Sequence, residues 1–165
     1  MNASATTLTF PLEPALDFLQ SLWALNQAIE RTSKQMEHDL GVTAQQRLLI
    51  RCLGKYPGIT GSQLAELLHL DRGTISTSLN RLERQGLISK RRDPRDSRRV
   101  PLGLTPQGKR LDTPAPVTVE RAVEQLFTQL GPEQLAVMKG SLQQLTANLN
   151  AALPAREPKP LLTAP

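Results

Sequence analysis

Basic residues are the groups in this sequence with the clearest chemical potential, and they are concentrated in one stretch. Between Arg72 and Arg110 there are eleven lysines and arginines against three acids, so this stretch has a net charge of +8 and the other residues together have −3. Guanidinium and ammonium groups gathered in this way bind phosphates, which predicts a surface for a polyanion, most simply nucleic acid. A solvated basic face without a ligand is the alternative.

The polar residues of this stretch form two groups. The first lies on a predicted helix and can donate to base edges and phosphates; it contains Arg72, Thr74, Ser76, Thr77, Asn80, Arg81 and Arg84. The second lies in a predicted β-hairpin and contains Lys90, Arg92, Arg95, Asp96, Arg98 and Arg99. A helix with a basic hairpin beside it is typical of proteins that bind duplex DNA.

Catalytic and metal-binding patterns are missing from the sequence. It has no glycine-rich phosphate loop and no nucleophile elbow, so we expect no enzymatic activity and no cofactor. The single cysteine, Cys52, and the two histidines, His38 and His69, are too few for a structural zinc site. Cys52 lies on an apolar helix face, which favours a packed thiol over a redox sensor.

Three short helices must position the basic groups, and local signals mark their ends. Capping boxes at residues 43–46 and 60–63 start the first two helices. Asp71 caps the third, which ends before Gly86. The tight turn between the second and third helices carries His69, where many helix-turn-helix motifs use glycine. This pattern predicts a helix-turn-helix whose third helix carries the polar residues named above.

Apolar spacing predicts which side chains fill the core of this unit. Positions between the two crossed helices are Leu64, Leu68, Leu70, Ile75 and Leu79, and the small Ala65 lets the helices approach closely. The inward face of the preceding helix is predicted to contain Leu48, Leu49, Cys52 and Leu53.

After the third helix the apolar period changes from helical to two. Short strands are therefore predicted over 87–91 and 100–104, with Pro101 marking the second as an edge strand. Another helix starts at Thr105–Pro106. Two prolines within residues 113–116 then predict a break, with Thr113 as the N-cap of the continuing helix.

Long amphipathic helices are predicted on both sides of this unit. Their apolar stripes exceed what a small core can bury, so they are predicted to pack on a second copy; the stripe residues are Leu16, Leu19, Leu126, Leu135, Met138, Leu142, Leu145 and Leu149. The predicted organisation is a single domain over 12–150, preceded by a flexible arm over 1–11 and followed by a proline-rich tail over 151–165. Within the domain, a DNA-binding lobe is predicted over 42–110 and dimerisation helices over 12–41 and 113–150.

In these motifs the chain resembles the multiple-antibiotic-resistance regulator (MarR) family of winged-helix repressors. The resemblance covers about residues 15–150. It rests on Leu-Gly-Val-Thr at 40–43, Leu-Ala-Glu-Leu-Leu at 64–68, Asp-Arg-Gly-Thr-Ile at 71–75, Leu-Asn-Arg-Leu-Glu-Arg-Gln-Gly-Leu-Ile at 79–88, Asp-Pro-Arg-Asp-Ser-Arg-Arg at 93–99 and Leu-Thr-Pro-Gln-Gly at 104–108.

The resemblance implies a mostly α fold with a small two- to three-stranded β wing, and an obligate homodimer whose two lobes bind a palindrome. In such proteins the second helix of the motif enters the major groove. Arg98 would then reach the flanking minor groove, oriented by Asp96, while Arg95 and Arg99 would contact phosphates. Pro114 and Pro116 depart from the usually continuous helix of the family.

These observations together predict a cytoplasmic, dimeric DNA-binding transcriptional regulator, most simply a repressor released by a small molecule. The resemblance implies an effector crevice, for which Trp23, Arg47 and Arg51 are candidates toward an aromatic or anionic effector. Trp23 is also a candidate for the core or the dimer seam, and the two arginines for a solvated surface. The alternatives are a redox-responsive regulator using Cys52 and a winged helix that binds only proteins. No run approaches the ~20 apolar residues of a membrane span.

Overall fold

The computed structural model describes residues 13–91 and 100–153, and the chain is mostly helical over them. The expected mostly α fold with a small β wing is thus confirmed. Its elements in chain order are α1 (Pro14–Leu40), α2 (Ala44–Lys55), α3 (Gly61–Leu68), α4 (Arg72–Arg84), β1 (Ile88–Lys90), β2 (Leu102–Leu104), α5 (Pro106–Leu111), α6 (Val119–Phe127) and α7 (Pro132–Ala151).

Helix α1 has 27 residues and ends where the sequence predicts. Gly41 adopts a left-handed φ of 73°, and its N–H donates to the carbonyl of Glu37 at 3.1 Å. Only glycine enters this conformation without a steric cost, which is why the helix stops there. Met36 is the one buried residue of α1, so most of the helix lies outside the core.

Local capping starts the helices of the lobe as predicted. Both capping boxes form, at residues 43–46 and 60–63, each with its two reciprocal hydrogen bonds. The Asp71 carboxylate accepts from two backbone N–H groups in the first turn of α4, at 2.8 and 3.1 Å. His69 takes the left-handed conformation that its turn requires, with φ 52°. These short-range bonds fix the angle at which α4 follows α3.

The core of the lobe is built from α2, α3, α4 and the hairpin. Its buried members are Val42, Leu49, Ile50, Leu53, Leu64, Ala65, Ile75, Leu79, Leu82, Leu87, Ile88 and Leu102. The predicted core residues Leu68 and Leu70 are partly buried beside this cluster. The prediction that Leu48 faces inward is wrong, because its side chain is 46% exposed. The buried face of α2 passes through Leu49 and Leu53 instead.

The two strands form an antiparallel hairpin with Ile88 opposite Leu104 and Lys90 opposite Leu102. Leu102 also pairs on its other side, because its N–H donates to the carbonyl of Ile59 at 2.9 Å. Its carbonyl accepts from the N–H of Gly58 at 3.0 Å. Strand β2 is an edge of the two-stranded sheet, as predicted, but its outer side at Leu102 is bonded to the loop that precedes α3.

The predicted break after α5 is confirmed, but its N-cap is not Thr113. Helix α6 begins at Val119, and the hydroxyl of Thr118 accepts from an N–H of its first turn at 3.2 Å. A residue before proline is disfavoured in the helical region, so Ala115, which precedes Pro116, prevents an earlier start.

The chain divides into two compact units, one up to Ala122 and one from Val123 onward. Within the second unit, α7 begins after Gly131, so the predicted dimerisation helices over 113–150 are separate helices that meet at this point. Leu142 and Leu149 of its apolar stripe are exposed, by 44% and 61%. No helix in the described ranges is long and apolar enough to cross a membrane.

Candidate DNA-binding surface

Helix α4 has one face in the core of the lobe and the opposite face in solvent. Ile75, Leu79 and Leu82 are buried against α2, α3 and the hairpin. The predicted polar residues of the helix are all exposed, namely Arg72, Thr74, Ser76, Thr77, Asn80, Arg81 and Arg84. A helix has 3.6 residues per turn, so the stripe most directly opposite the core runs through Thr77, Asn80 and Arg84.

An open groove of about 710 Å³ lies beside α4. Its walls come from the start of α3, from α4 and from the hairpin, and its lining residues are Thr60, Gly61, Ser62, Gln63, Arg72, Ile75, Ser76, Leu79, Lys90, Val100 and Leu102. Hydroxyl, amide and cationic groups thus line the space between the helix and the wing, together with apolar groups that contribute most of its surface. Such groups contact phosphate and sugar in protein–DNA interfaces.

Among the described residues, three of the predicted DNA-contacting side chains contact other side chains of this chain. Arg81 forms an ion pair with Glu37 of α1. Lys90 donates to the side-chain oxygen of Asn80 at 2.6 Å and lies 2.8 Å from a carboxylate oxygen of Glu83. These contacts hold the middle of α4 to its neighbours. The sequence did not indicate them, since the partners of Arg81 and Lys90 are 44 and 10 positions away.

The tip of the wing lies outside the described residues. The predictions for Arg92, Arg95, Asp96, Arg98 and Arg99 therefore stay predictions. The base of the wing is described, and there Lys90 is partly buried and Arg91 is exposed. The N–H of Arg91 donates to the carbonyl of Pro101 at 3.1 Å, which extends the hairpin ladder toward the tip.

Arg47, a candidate for binding an anionic effector, is instead engaged by the chain itself. Its side chain is only 1% exposed. The guanidinium donates to the carbonyls of Leu111 at 2.7 Å and Thr113 at 2.8 Å, and to the carboxylate of Glu120. The alternative prediction, that Arg47 lies on the solvated surface of its helix, is also wrong. The sequence does contain one signal for this role, which is the break after α5. The last carbonyls of a helix have no donor within the helix, so those of α5 need donors from another part of the chain.

The other two effector candidates have different surroundings. Arg51, one turn from Arg47 on α2, pairs with the carboxylate of Asp112 at 2.8 Å and also donates to the Asp112 carbonyl. Trp23 is 68% exposed on α1. An indole of this exposure is not part of the core, so Trp23 keeps its predicted roles as a seam or effector residue.

Cys52 is partly buried beside the core of the lobe. Loss of hydration raises the pKa of its thiol above the ordinary value, and the positive charge of Lys55 opposes this effect only in part. A raised pKa lowers the thiolate fraction at neutral pH and with it the reactivity toward oxidants.

Two crossed helices followed by an antiparallel hairpin, with a polar helix face left in solvent, define a winged helix-turn-helix protein. The MarR family model matches residues 42–100, which include the helix-turn-helix and most of the wing. An organic hydroperoxide resistance transcriptional regulator of Bacillus subtilis strain 168 is 33% identical over 139 residues, or 84% of this chain and 92% of that protein. The chain belongs to the MarR family of DNA-binding transcriptional regulators.

Solved structures agree with this assignment. Streptococcus pneumoniae FabT in complex with DNA is 27% identical, with a TM-score of 0.57 over 84% of this chain and 97% of that one. PcaV from Streptomyces coelicolor, solved with its natural ligand, is 27% identical, with a TM-score of 0.65 over 84% of this chain and 98% of that one. The resemblance inferred from the sequence motifs is confirmed.

Proposed function

We propose that this chain is a homodimeric repressor that binds a palindromic operator through α4 and the wing, and that a small molecule releases it. The exposed polar face of α4, opposite the apolar residues that the same helix buries in the core, is the observation that carries the proposal. Such a face matches the major groove, which accepts one helix and presents a distinct pattern of donors and acceptors at each base pair. Positive charge in the same stretch favours the approach to DNA.

The exposed apolar residues of the terminal helices support the dimer. On α1 they are Leu16, Phe18, Leu19, Trp23, Leu25 and Ile29, each at least 39% exposed. Apolar surface on this scale is unusual on a monomer and is normally covered by a partner. Two identical lobes related by a two-fold axis bind two half-sites in opposite orientation, which is why we propose a palindrome.

A small-molecule effector is the third component of the proposal. Support comes from the family neighbour PcaV, which was solved with its natural ligand. Among the three predicted effector residues, Trp23 has the side chain free of the core, and we propose that it contributes to an aromatic site. Arg47 is not part of this proposal, because its donors already bind carbonyls and a carboxylate of the chain.

A redox-responsive regulator is the second candidate, because the 33% identical relative is a hydroperoxide resistance regulator. This chain has one cysteine, so a sulfenic acid would find no second thiol within the chain. The raised pKa of Cys52 further disfavours attack on a peroxide. If peroxide releases the wild-type protein from its operator but leaves Cys52→Ser bound, this candidate replaces release by a small molecule.

The decisive experiment selects bound duplexes from a random DNA pool and sequences them. We expect an enriched inverted repeat, a dimer by light scattering at micromolar concentration, and reduced transcription from a promoter that overlaps the repeat. Enrichment without symmetry, from a protein that stays monomeric, would contradict the dimeric operator complex. An absence of any enriched sequence would contradict specific DNA binding.

The wing can be tested separately by fluorescence anisotropy on the selected operator. Arg98→Ala is expected to weaken binding by about 1–3 kcal/mol per site, and more strongly on A·T flanks than on G·C flanks. Arg95→Ala is expected to weaken all duplexes alike and to reduce the salt dependence. Equal losses for Arg98→Ala on both flanks would assign it to phosphate contact alone.

A further inference from the structure

Asn80 and Lys90 meet at the centre of the exposed polar face. Asn80 lies on the stripe of α4 opposite the buried Leu79 and Leu82, and Lys90 ends the first strand of the wing. The ammonium of Lys90 donates to the Oδ1 atom of Asn80 at 2.6 Å, and the carboxylate of Glu83 lies 2.8 Å from the same ammonium. The lysine is thus held between two acceptors on one helix.

This contact fixes which end of the Asn80 amide is available. An ammonium has three donors and no acceptor, so the atom facing Lys90 is the amide oxygen and not the nitrogen. The NH₂ group then points away from the wing base. With the oxygen bound to Lys90, the free end of Asn80 offers donors only.

The orientation matters because asparagine usually recognises adenine with both ends of its amide. In that pairing the NH₂ group donates to N7 while the oxygen accepts from the N6 amino group. A base amino group brought to the Asn80 oxygen would approach the positive charge of Lys90, which repels a donor. Guanine presents two acceptors in the major groove, N7 and O6, and thymine presents O4.

We propose that Lys90 makes Asn80 a donor-only base reader, so that adenine loses its bidentate contact and guanine or thymine is preferred at the base that faces Asn80. This assignment rests on the proposed function, in which α4 enters the major groove. Lys90 is the positioning residue, Glu83 holds it from the next turn of α4, and Asn80 is the residue that determines specificity.

The test uses the full-length protein and selection from a random DNA pool. Asn80→Ala first identifies the base pair that faces this residue, because the sequence preference is lost at that position alone. Lys90→Met then removes the ammonium while keeping the aliphatic stem. We expect the wild type to select guanine or thymine there, and Lys90→Met to gain on adenine by about tenfold relative to guanine, the size of one bidentate contact.

Arg91→Met is the matched control, because Arg91 is exposed on the same stretch of the hairpin and loses the same charge. It is expected to weaken binding to every duplex alike and to leave the base preference unchanged. Asn80→Asp gives a second, independent measurement at an exposed position. One carboxylate oxygen would still bind Lys90 while the other accepts, so the preference should move to cytosine or adenine, whose amino groups donate.

Three outcomes would overturn the proposal. They are a wild-type preference for adenine at this base pair, an unchanged preference in Lys90→Met, and an unchanged preference in Asn80→Asp. A wild-type protein that enriches no sequence would refute the proposed function and the present proposal together. Specific enrichment combined with any of the three outcomes would refute the present proposal and leave the proposed function standing.

Discussion

Replacement of Arg47 by methionine should destabilise the lobe far more than the loss of an arginine from the surface of a helix would. The variant keeps most of the aliphatic stem and removes the guanidinium, whose three donors bind the carbonyls of Leu111 and Thr113 and the carboxylate of Glu120. The Glu120 side chain is 33% exposed and can turn to water. The main cost therefore comes from the two carbonyls, which lose charged donors in partly buried hydrogen bonds.

The magnitude follows from these contacts. A hydrogen bond to a charged group contributes about 1.5–3 kcal/mol, so two contribute about 3–6 kcal/mol when they are fully buried. Because both bonds are only partly buried, we expect a loss of about 2–4 kcal/mol in the free energy of unfolding. Urea denaturation at one fixed protein concentration measures this loss, because the stability of a dimer depends on concentration.

Arg51→Met is the matched control, one turn along the same helix. Its side chain is 39% exposed, and an ion pair of this exposure contributes about 1 kcal/mol or less. The reasoning fails if Arg47→Met loses no more stability than Arg51→Met. A loss below about 1 kcal/mol for Arg47→Met would show that water replaces the guanidinium without cost.

Three further variants test other parts of the fold. Gly108→Ala would place its Cβ 2.0 Å from the carbonyl oxygen of Leu87 and should lower the melting temperature. Its control is Gly140→Ala, whose Cβ would meet nothing within 4 Å and which should raise the free energy of unfolding by up to about 1 kcal/mol. A Gly108→Ala protein as stable as wild type would contradict the close approach. Thr43→Ala removes a capping box and should cost about 1 kcal/mol in urea denaturation, and an unchanged midpoint would show that the cap is dispensable. Burial raises the pKa of Cys52, so its alkylation by iodoacetamide at neutral pH should be slower than that of a cysteine peptide and should keep rising with pH after the peptide rate has levelled off; equal rates would contradict burial.

The helix boundaries of the lobe could be predicted from the sequence because the forces that set them act over a few residues. The capping boxes at 43–46 and 60–63 need only a hydroxyl and an amide three positions apart. A left-handed residue such as Gly41 or His69 stops a helix through its own backbone conformation. The exposed polar face of α4 followed in the same way, since the periodicity of the helix decides which residues can face away from an apolar stripe.

The roles of individual charged residues were decided by tertiary structure. Arg47 and Arg51 have the same type and lie on the same helix, and nothing local distinguishes them; yet the first is buried and the second is not. Their partners come from the break after α5, more than 60 positions away in sequence. A long charged side chain binds the groups that lie near it in the folded structure. The local periodicity of the sequence does not show which remote segments come close together. For the same reason the sequence could place Asn80 on the solvent-exposed side of α4, while only the fold brought Lys90 to its amide oxygen.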